Sequence, residues 1–75
     1  MHQYKVEIFA YTEAGSVGKL FATRYADNHE QARLICEEYE SQTQENGMKA
    51  YKVNLHMLCY KFVEDKAAFF AQFKA

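Results

Sequence analysis

The stretch that decides the fold lies between His29 and Lys61, where the hydrophobic period changes. HEQARLICEEYESQTQ (29–44) repeats its apolar residues every three to four positions, as one side of a helix does. AYKVNLHMLCYK (50–61) repeats them at every second position, as one face of a strand does. Asn46-Gly47 lies between the two patterns and predicts the end of the helix, because glycine readily adopts the left-handed cap conformation.

The predicted first helix begins with a capping signal. Either Asp27 with Glu30, or Asn28 with Gln31, has the spacing of a capping box, in which each side chain bonds a free backbone N–H at the helix start. Behind this signal, helical spacing predicts one buried apolar stripe, made of Ala32, Ile35, Cys36 and Tyr39. The acidic residues of the helix are predicted to face outward: Glu37, Glu38 and Glu40.

Two strands are predicted before this helix. Residues 4–11 alternate as a strand, residues 12–18 are small, polar and glycine-containing as in a hairpin loop, and residues 19–26 form the second strand. Strict alternation places Leu20 and Ala22 toward the first helix and Phe21 and Tyr25 away from it. The predicted helix-facing set of the sheet is Val6, Ile8, Leu20, Ala22, Val53, Leu55 and Met57.

The end of the chain predicts one more strand and one more helix. The third strand covers residues 50–60, and the second helix lies within residues 62–75 with Glu64 or Asp65 as its cap. The predicted fold is therefore a single small α+β domain over residues 1–75, in the order β-β-α-β-α. Its three-stranded antiparallel sheet has the strand order 2-1-3, and helix one packs on one face.

Composition restricts the classes of function. The 75 residues carry a net charge of −1, which argues against a domain that grips duplex DNA by charge and against an acidic nucleic-acid mimic. The sequence shows neither a signal-peptide pattern nor a run of about 18 apolar residues, so we expect a cytoplasmic protein with no membrane partner. Six Phe and six Tyr supply much apolar area to so short a chain.

The reactive side chains form no catalytic or metal-binding pattern. The three histidines, His2, His29 and His56, lie far apart in the sequence, and no C-x-x-C occurs. Cys36 and Cys59 fall on apolar positions, which predicts two buried, reduced thiols; a bridge between them would require the helix and the strand to pack side by side. We therefore expect no enzyme activity, no cofactor and no metal.

The second face of the predicted sheet carries many aromatic residues. Its rings are predicted to be interleaved with basic side chains, in the set Phe9, Tyr11, Phe21, Tyr25 and Tyr60 with Lys5, Lys19, Lys52 and His56. Three interpretations are open: the second helix covers this face, the face binds a protein or a second copy, or it stacks single-stranded nucleic-acid bases.

The second helix carries more large rings than a helix lying on water needs. Phe69, Phe70 and Phe73 lead us to expect a homodimer with at least one of these rings in its interface. Together with the aromatic face, they favour a small non-enzymatic protein-interaction module that binds a larger protein as an inhibitor, adaptor or regulator, such as a phage or mobile-element inhibitor of host defence. The alternative is single-stranded nucleic-acid binding. The candidate interaction surface is Phe9, Tyr11, Phe21, Tyr25, Tyr60, Phe69, Phe70 and Phe73.

Overall fold

The computed structural model describes residues 3–12, 14–44, 51–58 and 61–73, and it has the predicted α+β architecture. A four-stranded antiparallel sheet in the order β2-β1-β3-β4 packs against two helices. The elements are β1 (Tyr4–Tyr11), β2 (Val17–Ala26), α1 (His29–Glu40), β3 (Lys52–Met57), β4 (Lys61–Val63) and α2 (Lys66–Ala71). The sheet thus has one strand more than the predicted three.

The additional strand, β4, lies where the sequence predicts the beginning of the second helix. Phe62 pairs with His56 and Val63 pairs with Leu55, so β4 extends the sheet beyond β3. Phe and Val are good strand formers, and pairing satisfies backbone groups along part of the outer edge of β3. The second helix begins only after Asp65, whose side chain accepts a hydrogen bond of 3.0 Å from the backbone N–H of Ala68. Asp65 is therefore the N-cap of α2, and it is one of the two residues predicted for that position.

The pairing of β1 with β2 is interrupted by an extra residue. Ile8 pairs with Ala22 and Phe9 pairs with Leu20, which leaves Phe21 without a counterpart on β1. Such a bulge shifts the alternation of the strand that contains it, so residues before and after it no longer follow one period of two. The prediction of which face of the sheet carries Leu20 and Phe21 assumes that the alternation along β2 is unbroken.

Both of those face predictions are wrong because of the bulge. Leu20 shares the face of Phe9, away from the helices, and is 49% exposed. The ring of Phe21 lies 4.7 Å from the ring of Tyr51, a buried residue that also contacts Tyr39 of α1. Phe21 therefore lies on the helix side of the sheet.

The loop between β1 and β2 is the predicted hairpin. The backbone N–H of Thr12 donates to the carbonyl oxygen of Ser16 over 2.8 Å, and Gly15 has a φ of 85°, which favours glycine. A second register shift follows, since Tyr11 pairs with Val17. Close to it, a Cβ atom at Gly18 would lie 3.1 Å from the carbonyl oxygen of Ala10, which is tighter than most Cβ contacts, so the two strands approach closely here.

Helix α1 begins as predicted and ends earlier than predicted. Asn28 is the N-cap and accepts a 2.9 Å hydrogen bond from the backbone N–H of Gln31, whose side chain in turn accepts from the backbone N–H of Asp27 over 2.9 Å. The helix ends at Glu40 with Ser41 as its C-cap, well before Asn46-Gly47, and those two residues lie outside the described residues. The physical reason is that the apolar stripe is not continued: its next positions are occupied by the polar residues at 42 and 43.

We expect Asn28→Ala to lower the free energy of unfolding by about 1 kcal/mol, because the hydrogen bond to the backbone of Gln31 is lost. Urea denaturation monitored by circular dichroism measures the change. Asn28→Asp is the matched control, since a carboxylate oxygen replaces the amide oxygen and is favoured at the positive end of the helix. An Asn28→Ala variant as stable as Asn28→Asp would contradict the assigned cap.

The core lies between the sheet and the two helices. Val6, Ile8 and Leu55 are its largest fully buried side chains. The ring of Phe69 on α2 lies 6.0 Å from the ring of Tyr4, and Phe69 and Phe70 pack against this core. Helix α2 thus lies on the same side of the sheet as α1. The interpretation in which the second helix covers the aromatic face is therefore wrong.

Candidate functional site

The side of the sheet opposite α1 and α2, which we name the open face, is the candidate functional site. Strand pairing sets its side chains in rows that cross the strands. The Lys5 row is Tyr25, Lys5, His56 and Phe62. The Glu7 row is Thr23, Glu7 and Asn54. The Phe9 row is Leu20, Phe9 and Lys52, and Val17 with Tyr11 follows it.

Large apolar side chains are half-exposed across the open face. Tyr25 is 49% exposed, Leu20 49% and Phe62 50%. They lie on the two edge strands, while the partly exposed ring of Phe9 lies between them on β1. No helix of the described residues packs on this side of the sheet. Exposed apolar side chains grouped on one surface are typical of an interaction site.

The charged groups of the open face lie close together and offset one another. The Nε2 atom of His56 lies 2.8 Å from Glu7 Oε1, and Lys5 Nζ lies 3.8 Å from Glu7 Oε2. His56 Nε2 is buried and makes no hydrogen bond to the described residues. Its contact with Glu7 is an ion pair when the imidazole is protonated. Only Lys52 adds a further charge to the three rows. The open face is therefore apolar and weakly charged rather than strongly basic.

The structure brings part of the predicted surface together and separates the rest. Phe9, Tyr11 and Tyr25 share the open face with Lys5, Lys52 and His56, whereas Phe21 lies on the helix side. Lys19 is exposed on β2 beside the second register shift, and Tyr60 lies outside the described residues.

The rings of the second helix are not part of the open face. Phe69 and Phe70 pack on the chain's own core. The ring of Phe73 stacks on His29 with centroids 4.0 Å apart, and Phe73 remains 44% exposed. The excess of rings that suggests a dimer through this helix is therefore largely taken up within the chain.

Sequence reasoning missed Leu20 and Phe62 on the open face. The triplet Lys61-Phe62-Val63 contains two strong strand formers before a polar turn, and this signal could have identified β4. No local signal marks Leu20, because the bulge that turns it outward depends on how β2 pairs with β1.

A groove of about 280 Å³ between α1 and α2 contains the buried thiol of Cys36. Burial raises the pKa of this thiol to about 11, and the nearby Glu40 carboxylate adds to the shift. The thiol is free and is held in its neutral form at physiological pH. A nucleophile needs a lowered pKa and an accessible sulfur, and Cys36 has neither. Cys59 lies outside the described residues.

We expect Cys36 to react with iodoacetamide far more slowly in the native protein than in the unfolded chain at pH 8.5. The side chain is only 2% exposed and its raised pKa suppresses the thiolate, which is the reactive form. Mass spectrometry of the peptide that contains Cys36 measures the labelling. Comparable rates with and without denaturant would contradict burial of this residue.

The same shift predicts a loss of stability in alkali. A thiol whose pKa is raised by folding supports the native state below the ordinary thiol pKa of about 9, and this support is lost as the pH rises toward 11. Cys36→Ala is the control for other groups that titrate in this range. The wild type is expected to lose more stability than Cys36→Ala between these pH values, and parallel curves would contradict the shift.

The ion pairs of Arg33 lie along a single helix. Arg33 pairs with Glu30 and, over 2.8 Å, with Glu37 along α1, and its hydrogen bond lowers the pKa of Glu30. Among the described residues, no three His, Cys, Asp or Glu side chains are grouped so that they could hold a metal ion.

None of the helices in the described part of the chain has the length and apolar character required to cross a membrane. No known protein family matches the sequence, and the chain has no detectable similarity to a curated protein or to a solved structure.

Proposed function

We propose that this chain is a non-enzymatic protein-interaction module that uses the open face to bind a larger protein as an inhibitor, adaptor or regulator. The observation that carries the proposal is the position of α2 beside α1. Because both helices pack on one side of the sheet, the apolar side chains of the other side are available to a partner. An inhibitor of host defence encoded by a phage or mobile element, acting in the cytoplasm, would fit this proposal.

The chemistry of the open face suits a protein partner. Tyr25 and Phe62 stand at the two ends of the Lys5 row, and the ion-paired side chains lie between them. Covering a large apolar side chain is worth about 1.5–3 kcal/mol, and tyrosine adds a hydrogen-bonding hydroxyl at low entropic cost. In protein–protein interfaces, a few aromatic residues commonly supply most of the binding free energy.

Single-stranded nucleic acid is the second candidate. It is favoured by the combination of the rings of Phe9, Tyr25 and Phe62 with Lys5 and Lys52, since bases stack on aromatic rings and phosphates pair with lysine. The carboxylate of Glu7 counts against it, because this group lies at the centre of the open face and repels a phosphodiester backbone. Glu7 also offsets the charge of Lys5, and nucleic-acid affinity depends strongly on such charges.

Photo-cross-linking in cells of the native source tests the proposal. A benzophenone amino acid replaces either Phe62, which is 50% exposed on the open face, or Leu34, which is 53% exposed on α1. The two positions are equally accessible and differ in the surface that they sample. We expect one defined adduct between position 62 and a protein larger than this chain, which resists nuclease and is destroyed by protease, and none from position 34.

The other outcomes are equally informative. A position-62 adduct that nuclease removes would replace the proposal with the nucleic-acid alternative. No adduct at position 62, or the same adducts from both positions, would overturn the open face as the binding surface. Thermal melts of both substituted proteins check that the fold is retained.

A further inference from the structure

We propose that, when the larger partner is absent, a second copy of this chain occupies the open face and forms a two-fold, face-to-face dimer. This inference rests on the proposed function, since it concerns the same surface. It places the dimer contact on the sheet, whereas the sequence pattern alone suggests Phe69, Phe70 or Phe73 of the second helix.

The size of the open face suits a weak dimer. The strands β1, β2, β3 and β4 contain 8, 10, 6 and 3 residues. With a rise of about 3.3 Å per residue and about 4.8 Å between neighbouring strands, they span about 430 Å² in projection. Standard interfaces bury about 800 Å² on each partner, so two open faces in contact form a smaller interface, of the size that associates weakly.

The shape of the open face is complementary to itself. The Lys5 row consists of long side chains, the neighbouring Glu7 row has the shorter Thr23 and Asn54 on either side of Glu7, and the Phe9 row is bulky again. The Glu7 row is thus a shallow trough between two ridges. We place a two-fold axis between the two faces. It runs perpendicular to the strands, midway between the Lys5 row and the Glu7 row. This axis sets each Lys5 row into the trough formed by the Glu7 row of the other copy.

The charges agree with the same arrangement. Lys5 and Glu7 are two residues apart on β1 and point from the same face. The two-fold axis places Lys5 opposite Glu7 of the partner subunit, and Glu7 opposite Lys5 of the partner subunit. Each opposite-charge pair therefore occurs twice, and no like charges from these positions meet. A two-fold dimer pairs one surface with the same surface of a second copy, and it is the commonest assembly of soluble proteins.

Self-association would regulate the binding of a larger protein. A dimer that hides the open face reduces the fraction of chains able to bind. The apparent affinity for the partner is then the intrinsic affinity multiplied by that fraction. Dilution of the chain, or a high concentration of the partner, would release the monomer.

Charge reversal gives a test specific to a second copy. Wild-type protein is examined by sedimentation velocity from about 1 to several hundred micromolar, the range in which an interface of modest size associates. We expect the mass to rise from one copy toward two. Lys5→Glu alone and Glu7→Lys alone are each expected to weaken association at least tenfold, since every cross-copy pair becomes repulsive. An equimolar mixture of these two variants is expected to associate again, because every pair is then attractive.

Two further variants control for effects of a substitution on folding. Phe62→Asp and Leu34→Asp place the same charge at equally exposed positions on opposite sides of the molecule. We expect only Phe62→Asp to abolish dimers. A wild type that stays monomeric throughout, dimers unchanged by all four variants, or a mixture that fails to recover would each overturn the second copy as occupant. A position-62 cross-link to a larger protein would survive that result, so the two proposals fail separately.

Discussion

The Leu55→Ala variant is expected to lose about 2–5 kcal/mol of unfolding free energy, more than any surface truncation of this chain. Leu55 is 0% exposed and lies on β3, between β1 and β4. Removing its side chain leaves a cavity between the sheet and the helices. A core in a domain of this size supplies only about 3–5 kcal/mol, so the variant is expected to be partly or wholly unfolded at 25 °C. Urea denaturation monitored by circular dichroism measures the loss.

Leu20→Ala is the matched control, and it also tests the bulge in β2. The substitution is chemically identical, but Leu20 is 49% exposed on the open face. We expect a change within about 0.5 kcal/mol, as for most surface substitutions. A loss as large as that of Leu55→Ala would show that Leu20 faces the core, as unbroken alternation predicts.

The second large effect is expected at Gln44, a buried residue whose side-chain amide bonds the backbone at the end of β1. Among the described residues, the pairing of β1 with β3 extends as far as Phe9 and Lys52. Beyond that point the side chain of Gln44 accepts a 2.5 Å hydrogen bond from the backbone N–H of Tyr11 and donates one of 3.3 Å to its carbonyl oxygen. Gln44→Ala removes both bonds, which is expected to cost about 1–3 kcal/mol.

Hydrogen exchange and a neighbouring variant make this expectation specific. The amide of Tyr11 should exchange faster in Gln44→Ala than in the wild type, while Gln42→Ala, at an exposed position, should change neither exchange nor stability. Equal stability of the two variants would show that the amide of Gln44 does not hold the end of β1.

The parts of the fold that the sequence predicts correctly depend on local patterns. Strand β1 alternates without interruption from Tyr4 to Ile8, and its buried residues are the predicted ones. The start of α1 follows from Asn28 and Gln31, whose hydrogen bonds reach only a few residues along the chain. In these segments each residue's environment is set by its near neighbours, which a pattern can represent.

Two features that the sequence does not predict depend on contacts between distant segments. The bulge at Phe21 becomes visible only when β2 is paired with β1, and it exchanges the faces of Phe21 and Leu20. The contact of Gln44 with Tyr11, thirty-three positions away, likewise joins distant segments. A period read along one segment carries no information about either contact. The early end of α1 is a different case, since the polar residues at 42 and 43 are a local signal.

The candidate site is predictable in outline for the same reason. Phe9, Tyr11 and Tyr25 follow from alternation in segments where the period is regular or returns to register. The side of the sheet on which α2 packs depends on the contact of Phe69 with Tyr4 and could not be read from the helix itself. That contact decides whether the open face is available to a partner.

Hydroxyl-radical oxidation of two tyrosines tests most directly the claim that one face of the sheet is uncovered. Tyr4 and Tyr25 lie on adjacent strands and face opposite sides; Tyr4 is 7% exposed and Tyr25 is 49% exposed. The protein is oxidised at about 1 μM, the lowest concentration of the sedimentation series, where we expect the monomer to predominate, and the modified peptides are quantified by mass spectrometry. We expect Tyr25 to be oxidised several times faster than Tyr4, and the two rates to converge in urea. Equal protection of both tyrosines in the native monomer would show that the chain covers its own sheet and that the open face does not exist.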